Sequence, residues 1–230
     1  MHILAIGAHP DDIEFGCAPI LIKEIEKGNQ VKILCLSLGE AGSNGTPESR
    51  KKEAEDAAKI IGTEIEFLDL GGDCHIEQIP ANAFKIAREI RQYQPQIILA
   101  PQTDENQHPD HATVGKLARD AARFARYGGL AELKDLPVHK IGSLYYYAIT
   151  QFFGKRPDII IDVTDVHDKW EKAMAAHESQ MKSKQYLEMI NSWSHALGSA
   201  IGTQYAVGLW ASDPIRVDHI SDLNLSSRNY

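Results

Sequence analysis

Residues 2–12 read HILAIGAHPDD, and this stretch decides the fold. The run His2–Gly7 is short and apolar and is followed at once by turn-forming residues, as is typical of a buried strand in a parallel sheet. A helix is predicted over Ile13–Lys27, because Gly28-Asn29 can end it. A second strand is predicted over Val31–Leu38. The N-terminal segment is therefore predicted to form a βαβ unit.

The same alternation continues along the chain. Further helices are predicted over Glu48–Ile61, Ala81–Tyr93, Ala112–Ala125, Val166–Met181 and Gln185–Ile201. Further strands are predicted over Glu64–Leu70, Gln96–Ala100, Ile141–Ile149 and Ile159–Val163, with loops over 39–47 and 101–111 and an irregular tail from Ser212. This order predicts an α/β fold of the Rossmann-like, doubly wound type, with a mostly parallel sheet and helices on both faces. Since no repeat or linker interrupts it, residues 1–230 are predicted to form a single domain.

Composition and charge exclude several classes of protein. The 230 residues include 24 Lys and Arg against 32 Asp and Glu, a formal net charge of −8. This argues against a general binder of nucleic acids or anionic membranes, which needs a basic surface. Cys17, Cys35 and Cys74 form no CxxC pair and are expected to be reduced, small apolar residues. Without an export signal or an apolar run of roughly 18 residues, the protein is expected to be soluble and cytoplasmic.

The first candidate site follows the first strand, in the sequence AHPDD. Two adjacent carboxylates beside a histidine repel each other, and a bound cation is one reason to keep them together. A turn could aim His9 and Asp12 at one point and leave Asp11 to accept a proton from metal-bound water. The same residues also suit a helix N-terminus, where aspartate caps and proline is tolerated. Both interpretations remain open from this cluster alone.

The second candidate site is HPDH at residues 108–111, after the fourth strand. Two histidines three apart, with an aspartate between them, have the composition of a metal site and its hydrogen-bond partners. An exposed polar loop is the alternative. Because ligands of open α/β sheets bind beyond the carboxyl ends of strands near a switch point, the two clusters are expected to share one metal site. Motifs for serine hydrolases, phosphate loops and dinucleotide binding are absent from the sequence.

AHPDD and HPDH together resemble the signature of the LmbE-like (PIG-L) N-acetylglucosamine deacetylases. The segment GEAGSNGTPESRKKE, residues 39–53, is similar to the bacterial branch that deacetylates N-acetylglucosaminyl malate in bacillithiol biosynthesis. Weaker similarity continues in AHESQ at 176–180 and IGTQYA at 201–206. The resemblance therefore covers most of the chain.

The resemblance implies a role for each residue of the two motifs that carries a charge or an imidazole. It implies that three of them bind a divalent metal, usually zinc: His9, Asp12 and His111. It implies that three others are catalytic: Asp11 as general base, His108 as the residue that steadies the oxyanion and assists the leaving amine, and Asp110 as the residue that orients His108. Two nitrogens and one carboxylate also suit ferrous iron, so the donor set does not choose the metal.

Two further residues are implied to lie near the substrate, namely Arg50 and His177. An ordinary surface arginine beside Lys51 and Lys52 is the alternative for Arg50, and a structural histidine is the alternative for His177. Asn106 stands where some family members carry an aromatic or acidic residue. The resemblance therefore supplies no additional carbonyl-polarising group at that position.

The implied reaction is zinc-dependent hydrolysis of the N-acetyl group of an N-acetylglucosamine derivative, with N-acetylglucosaminyl malate as the expected substrate. The products are acetate and a free amine, and the implied assembly is a homo-oligomer such as a hexamer. One alternative is the same chemistry on a chito-oligosaccharide or a lipid-linked glucosamine. The other is a non-catalytic module in which a structural metal stabilises a sugar-binding pocket. The missing membrane segment weighs against a lipid-linked substrate. The lack of an evident fourth protein ligand weighs against the non-catalytic module.

Overall fold

The computed structural model describes residues 1–104, 108–149, 156–182, 185–223 and 226. Within these ranges the strands are β1 (His2–Gly7), β2 (Gln30–Cys35), β3 (Glu64–Phe67), β4 (Ile97–Pro101), β5 (Ser143–Tyr147), β6 (Ile159–Asp162) and β7 (Ala206–Ala211). The helices are α1 (Asp12–Gly16), α2 (Ala18–Glu26), α3 (Pro47–Ile61), α4 (Pro80–Tyr93), α5 (Pro109–Ala125), α6 (His167–Ala175) and α7 (Tyr186–Ile201). The strands join one sheet in the order β3-β2-β1-β4-β5-β7-β6.

The sheet is mostly parallel. Strands β3, β2, β1, β4 and β5 run parallel to one another, whereas β7 pairs antiparallel with both β5 and β6. This confirms the predicted α/β fold with a mostly parallel, doubly wound sheet. Strand β7 was not predicted, since a glycine in the middle of the run AVGLWA weakens its strand pattern. Gly208 is needed there because a Cβ would lie 2.8 Å from the Cβ of Pro157.

Helices cover both faces of the sheet. Side chains of β1 alternate between two cores, as expected of a strand buried on both sides. Ile3 and Ala5 pack in one core with side chains of α2, α3, α6 and α7, whereas Leu4 and Ile6 pack in the other with side chains of α4 and α5. None of the helices in the described ranges combines the length and apolar character that a membrane span requires.

The helix predicted over Ile13–Lys27 is in fact two helices, α1 and α2. The break lies at Cys17, whose φ of −145° and ψ of 2° are not helical. Pro19 explains it, because an interior proline lacks the N–H that a helix needs and clashes with the carbonyl four residues earlier. The structure instead places Pro19 in the first turn of α2, where proline is tolerated.

Helix α5 begins earlier than predicted. It starts at Pro109 rather than Ala112, with His108 as the N-cap residue. Asp110 and His111 therefore belong to the first helical turn and not to a loop. A helical turn fixes side-chain directions more firmly than a loop does, which suits residues that must converge on a site.

Helix α6 is shorter than predicted. It ends at Ala175 instead of Met181, and a separate 3-10 turn follows over Gln180–Lys182. The AHESQ segment thus falls largely in an irregular connection. Ser179 of this segment donates two hydrogen bonds to Glu53 of α3, and His177 contacts Glu14 of α1.

Gly115 lets α5 approach the end of β4, and its substitution is expected to destabilise the fold. A Cβ at this position would lie 2.3 Å from the carbonyl oxygen of Pro101. We expect Gly115→Ala to lower the free energy of unfolding by about 1–3 kcal/mol, the usual effect of overpacking, despite the better helix propensity of alanine. Equilibrium unfolding in urea measures this loss of unfolding free energy. Gly129→Ala is the control, since its Cβ would meet no atom within 4 Å, and equal stability of the two variants would contradict the prediction.

Candidate active site

The two sequence clusters meet at the switch point of the sheet. Strand β1 pairs with β2 on one side and with β4 on the other, so the chain reverses its winding direction between β1 and β4. The segments that follow these two strands, up to the first turns of α1 and α5, carry AHPDD and HPDH. His111 Nε2 lies 3.0 Å from Asp12 Oδ1. The expected meeting of the two clusters is therefore present in the structure.

The AHPDD turn is held by hydrogen bonds between its own residues. Asp12 Oδ2 accepts the backbone N–H groups of Ala8 and His9, at 2.8 and 3.0 Å. Asp11 has a φ of 120°, a conformation that residues other than glycine rarely adopt. Asp11 occupies the N-cap position of α1, but its side chain makes no capping hydrogen bond. The helix-cap interpretation therefore does not account for this carboxylate.

His9, Asp12 and His111 form a compact group of metal-ligand types. Each is buried, and one ligand atom from each lies within 4.8 Å of the others. Because Asp12 Oδ2 is occupied by backbone amides, Oδ1 is the oxygen left to face His111. Two imidazoles and one carboxylate, with further coordination positions left open, have the composition of a catalytic zinc site. The donor set fits the predicted metal.

Carboxylates also hold the far side of the His9 ring. His9 Nε2 lies 3.1 Å from Asp73 Oδ1 and 3.2 Å from Asp110 Oδ2. Burial lowers the pKa of His9, but Asp12, Asp110 and Asp73 together raise it well above its usual value. Metal-binding histidines commonly donate their second ring nitrogen to a carboxylate in this way. The arrangement leaves Nδ1 of His9, 3.6 Å from Asp12 Oδ2, on the side of the three-residue group.

Arg50 is buried and holds Asp11 in place. Its Nη2 donates to the Pro10 carbonyl at 2.9 Å and to Asp11 Oδ2 at 3.3 Å, and its Nη1 donates to the Gly39 carbonyl at 2.9 Å. Gly39 makes room for this contact, because a Cβ there would lie 1.8 Å from Arg50 Nη1. Arg50 is only 5% exposed, which rules out the surface-arginine alternative. Burial raises the pKa of Asp11 to about 6, and Arg50 acts in the opposite direction.

The ring of His108 is held by a hydrogen bond from the backbone of Asp110. Its Nδ1 accepts the backbone N–H of Asp110 at 3.2 Å, which places the proton of a neutral ring on Nε2. The carboxylate of Asp110 lies 3.9 Å from Nδ1, beyond hydrogen-bond range. It accepts the Cys74 N–H at 2.8 Å instead. The same carboxylate also lies 3.2 Å from His9 Nε2, and its predicted role in orienting His108 stays a prediction.

His177 does not join the other predicted residues at the cavity, although its charge and that of Asp11 influence each other's pKa. It is fully buried, does not line the cavity, and its Nε2 lies 3.2 Å from Glu14 Oε2. This contact joins the AHESQ segment, which contains His177, to α1. Asn106 lies outside the described residues. The resemblance therefore remains the only source for what this position does.

An open cavity of about 330 Å³ exposes most of the predicted residues to a ligand. Its lining includes the predicted residues His9, Asp11, Asp12, Arg50, His108 and His111. It also includes Ser43, Asn44 and Gln180 from the segments that resemble the family, and Asp73, Cys74 and Tyr186, which the sequence did not indicate. The volume is within the usual range of small-molecule sites. Asp73 is the most informative omission, because it binds His9 and lies 3.4 Å from His108 Nε2.

The family model described as PIG-L, GlcNAc-PI de-N-acetylase, matches residues 4–122, just over half of the chain. This range contains both AHPDD and HPDH.

Curated relatives extend the similarity over most of the chain. A 4-oxalmesaconate hydratase of Pseudomonas putida is 28% identical and covers 75% of this chain and 70% of its own. A diacetylchitobiose deacetylase of Thermococcus kodakarensis is 27% identical, and the match covers 90% of this chain and 81% of that protein. A probable N-acetyl-alpha-D-glucosaminyl L-malate deacetylase 2 of Bacillus cereus is 26% identical, and the match covers 79% of this chain and 84% of that protein.

A solved structure shares the fold and a comparable identity. A conserved protein of Thermus thermophilus superposes with a TM-score of 0.82 at 28% identity and covers 94% of this chain and 96% of its own. Family model, relatives and structure agree with the resemblance seen in the two motifs. The chain belongs to the PIG-L family of GlcNAc-PI de-N-acetylases and is an enzyme of that deacetylase family.

Proposed function

We propose that this protein hydrolyses the N-acetyl group of an N-acetylglucosamine derivative to acetate and a free amine, and that N-acetylglucosaminyl malate is its substrate. The observation that carries the proposal is the carboxylate of Asp11, which is 13% exposed at the wall of an open cavity, directly beside the His9, Asp12 and His111 group. A proton acceptor next to a three-ligand metal site is the arrangement that amide hydrolysis requires.

His9, Asp12 and His111 would hold the metal, which we propose to be zinc, with ferrous iron or another divalent metal as the alternative. When bound, such a metal lowers the pKa of a water molecule from about 15.7 towards about 7 and polarises the amide carbonyl. His9 is kept in its ligating orientation by Asp73 and Asp110. Asp12 is kept in place by the backbone of the AHPDD turn.

Asp11 is the proposed general base. A pKa of about 6, raised by burial, leaves its carboxylate mainly ionised at neutral pH and still basic enough to take a proton from water. The same group then gives this proton to the departing nitrogen as the C–N bond of the amide breaks. His108 donates a hydrogen bond through Nε2 to the oxyanion, since Nδ1 is already occupied by the Asp110 N–H. Asp11, rather than His108, is therefore the proposed donor of the amine proton.

Substrate binding involves Arg50 and the glycine-rich loop. Arg50 lines the cavity, and its guanidinium is the proposed contact for a substrate oxygen. We propose a supporting role for His177 in place of a direct contact, because it holds Glu14 of α1 behind the cavity. The malate aglycone is supported by the similarity of residues 39–53 and by the Bacillus cereus relative.

Arg50→Lys is expected to lower kcat by about tenfold or more. Lysine keeps the charge but has one nitrogen, so it cannot bind the Gly39 and Pro10 carbonyls and Asp11 together. Hydrogen bonds to a charged group contribute about 1.5–3 kcal/mol, and about 1.4 kcal/mol is a tenfold effect. Steady-state kinetics measures the change. Lys52→Ala, on the exposed side of the same helix, is the control, and wild-type kcat in Arg50→Lys would show that Asp11 needs no such support.

The decisive experiment compares three substrates with metal-stripped protein before and after zinc is returned. We expect zinc-dependent amine release from N-acetylglucosaminyl malate. Faster amine release from diacetylchitobiose would contradict the malate-linked substrate but support the proposed deacetylation. Turnover of 4-oxalmesaconate alone would overturn the deacetylase proposal in favour of a hydratase. Stoichiometric metal binding with no turnover of any of the three would favour the non-catalytic, metal-pinned sugar-binding module.

The proposed assembly is a homo-oligomer, with the hexamer as the expected form. Light scattering on the purified protein measures its mass directly. A monomeric mass would contradict this part of the proposal and leave the site unaffected.

A further inference from the structure

Cys74 lies beside His108, although no step of the proposed reaction uses a thiol. Its Sγ is 3.4 Å from Asp73 Oδ1 and 3.7 Å from His108 Nε2. Asp73 Oδ1 is in turn 3.4 Å from His108 Nε2. These three atoms form a nearly equilateral triangle of one sulfur, one oxygen and one nitrogen, each of a type that binds zinc.

The size of this triangle matches a face of a zinc tetrahedron. Zinc binds thiolate sulfur at about 2.3 Å, imidazole nitrogen at about 2.0–2.1 Å and carboxylate oxygen at about 2.0–2.2 Å. In a tetrahedral site, atoms at those bond lengths lie about 3.3–3.6 Å from one another. The observed separations of 3.4, 3.4 and 3.7 Å are therefore close to ligating distances. The fourth corner of the tetrahedron is left for water.

Tertiary contacts hold this part of the chain in position. Cys74 has a φ of 65°, in the left-handed region that residues other than glycine rarely occupy. Its N–H donates to Asp110 Oδ2 at 2.8 Å, and the N–H of Asp73 donates to Glu40 Oε2 at 2.9 Å. Cys74 is exposed and lines the cavity, so an ion from solvent can reach its sulfur.

We propose that Cys74, Asp73 and His108 form a second metal site, for a thiophilic divalent cation such as zinc, and that a cation bound there inhibits the enzyme. This site shares no ligand with the His9, Asp12 and His111 group, although Asp73 Oδ1 also lies 3.1 Å from His9 Nε2. A thiolate ligand favours zinc over magnesium or calcium. The inhibitory effect rests on the proposed function, because a cation on His108 Nε2 removes the N–H that would donate to the oxyanion.

The proton balance of this binding step can be stated. The thiol of Cys74 releases its proton to solvent as the sulfur binds the cation. The ring proton of His108 moves from Nε2 to Nδ1, which gives up the Asp110 N–H. Nδ1 lies 3.9 Å from the carboxylate of Asp110, which becomes its acceptor after a small movement. A ligating histidine commonly has such a carboxylate partner.

Cobalt binding tests the site without any assumption about the reaction. Metal-free protein is titrated with Co²⁺ while the absorption spectrum is recorded, alongside Cys74→Ser and Cys74→Ala. We expect a thiolate-to-cobalt charge-transfer band in the near ultraviolet for the wild type and its loss in both variants, whose folding is checked by circular dichroism. Cys17 and Cys35 are buried and serve as internal controls. A wild-type spectrum without the band, or a band that persists in the variants, would overturn the site.

Zinc inhibition tests the functional consequence. Zinc is added in excess to the loaded enzyme, and each variant is compared with its own activity before the addition. We expect the half-inhibitory zinc concentration to rise at least about tenfold in Cys74→Ser, since even changes around metal ligands alter affinity by about 10–100-fold. Equal inhibition of wild type and variant would overturn the inhibitory role. A cobalt band in a protein without deacetylase activity would refute the proposed function and leave the second site intact.

Discussion

Asp11→Asn is expected to bind metal as the wild type does and to lose at least about a hundredfold in kcat, the scale of a general-base contribution. Asparagine has nearly the same shape, tolerates a positive φ better than most residues, and offers Arg50 an acceptor oxygen. It cannot take a proton from water. The substitution therefore separates proton transfer from metal binding and from the local backbone conformation.

This prediction needs kcat at saturating substrate together with the metal content of the same samples. Asp168→Asn is the matched control, because that side chain is 99% exposed. Near-native turnover in Asp11→Asn would remove Asp11 from the role of general base. Loss of metal from the variant would instead place Asp11 among the ligands.

His111→Ala is expected to weaken metal binding by at least about a hundredfold and to abolish turnover at ordinary metal concentrations. Changes to residues around metal ligands weaken binding by about 10–100-fold, so the loss of a ligand should weaken it at least as much. His111 is buried in the first turn of α5, and alanine there leaves Asp12 Oδ1 without its partner at 3.0 Å. Only His9 and Asp12 of the three-residue group would remain.

Competition against a chelator measures this affinity, and thermal unfolding with and without metal gives a second reading. A ligand that binds only the folded state raises the midpoint of unfolding, so this rise should largely disappear in the variant. Lys116→Ala, on the same helix, is the control. Wild-type affinity in His111→Ala would exclude this histidine from the ligand set.

The sequence was informative where strong local patterns coincide with a rule of the fold. The apolar runs of β1 and β4 predict buried parallel strands, and such strands bring the residues that follow them to one edge of the sheet. The meeting of AHPDD with HPDH could therefore be expected without coordinates. Pro19 also carries a local signal for the break between α1 and α2, which the predicted continuous helix overlooked.

Residues placed by tertiary contacts could not be predicted in the same way. Asp73 and Cys74 lie in a connection without apolar periodicity, and their backbone N–H groups are held at the site by Glu40 and Asp110. The partnership of His177 with Glu14 likewise joins segments that are far apart in the chain. Family resemblance transfers residues of the motifs, whereas such contacts depend on how a particular chain packs.

Because Asp11 has a positive φ, catalysis and thermal stability favour different residues at position 11 of this chain. A non-glycine residue held in such a conformation costs about 1–3 kcal/mol, and glycine would relieve most of that strain. Directed evolution that screens only for thermal stability would therefore enrich glycine at position 11 and yield variants that are more stable but inactive. A programme to make this enzyme more robust should keep position 11 out of its library and seek its gains at unstrained surface positions.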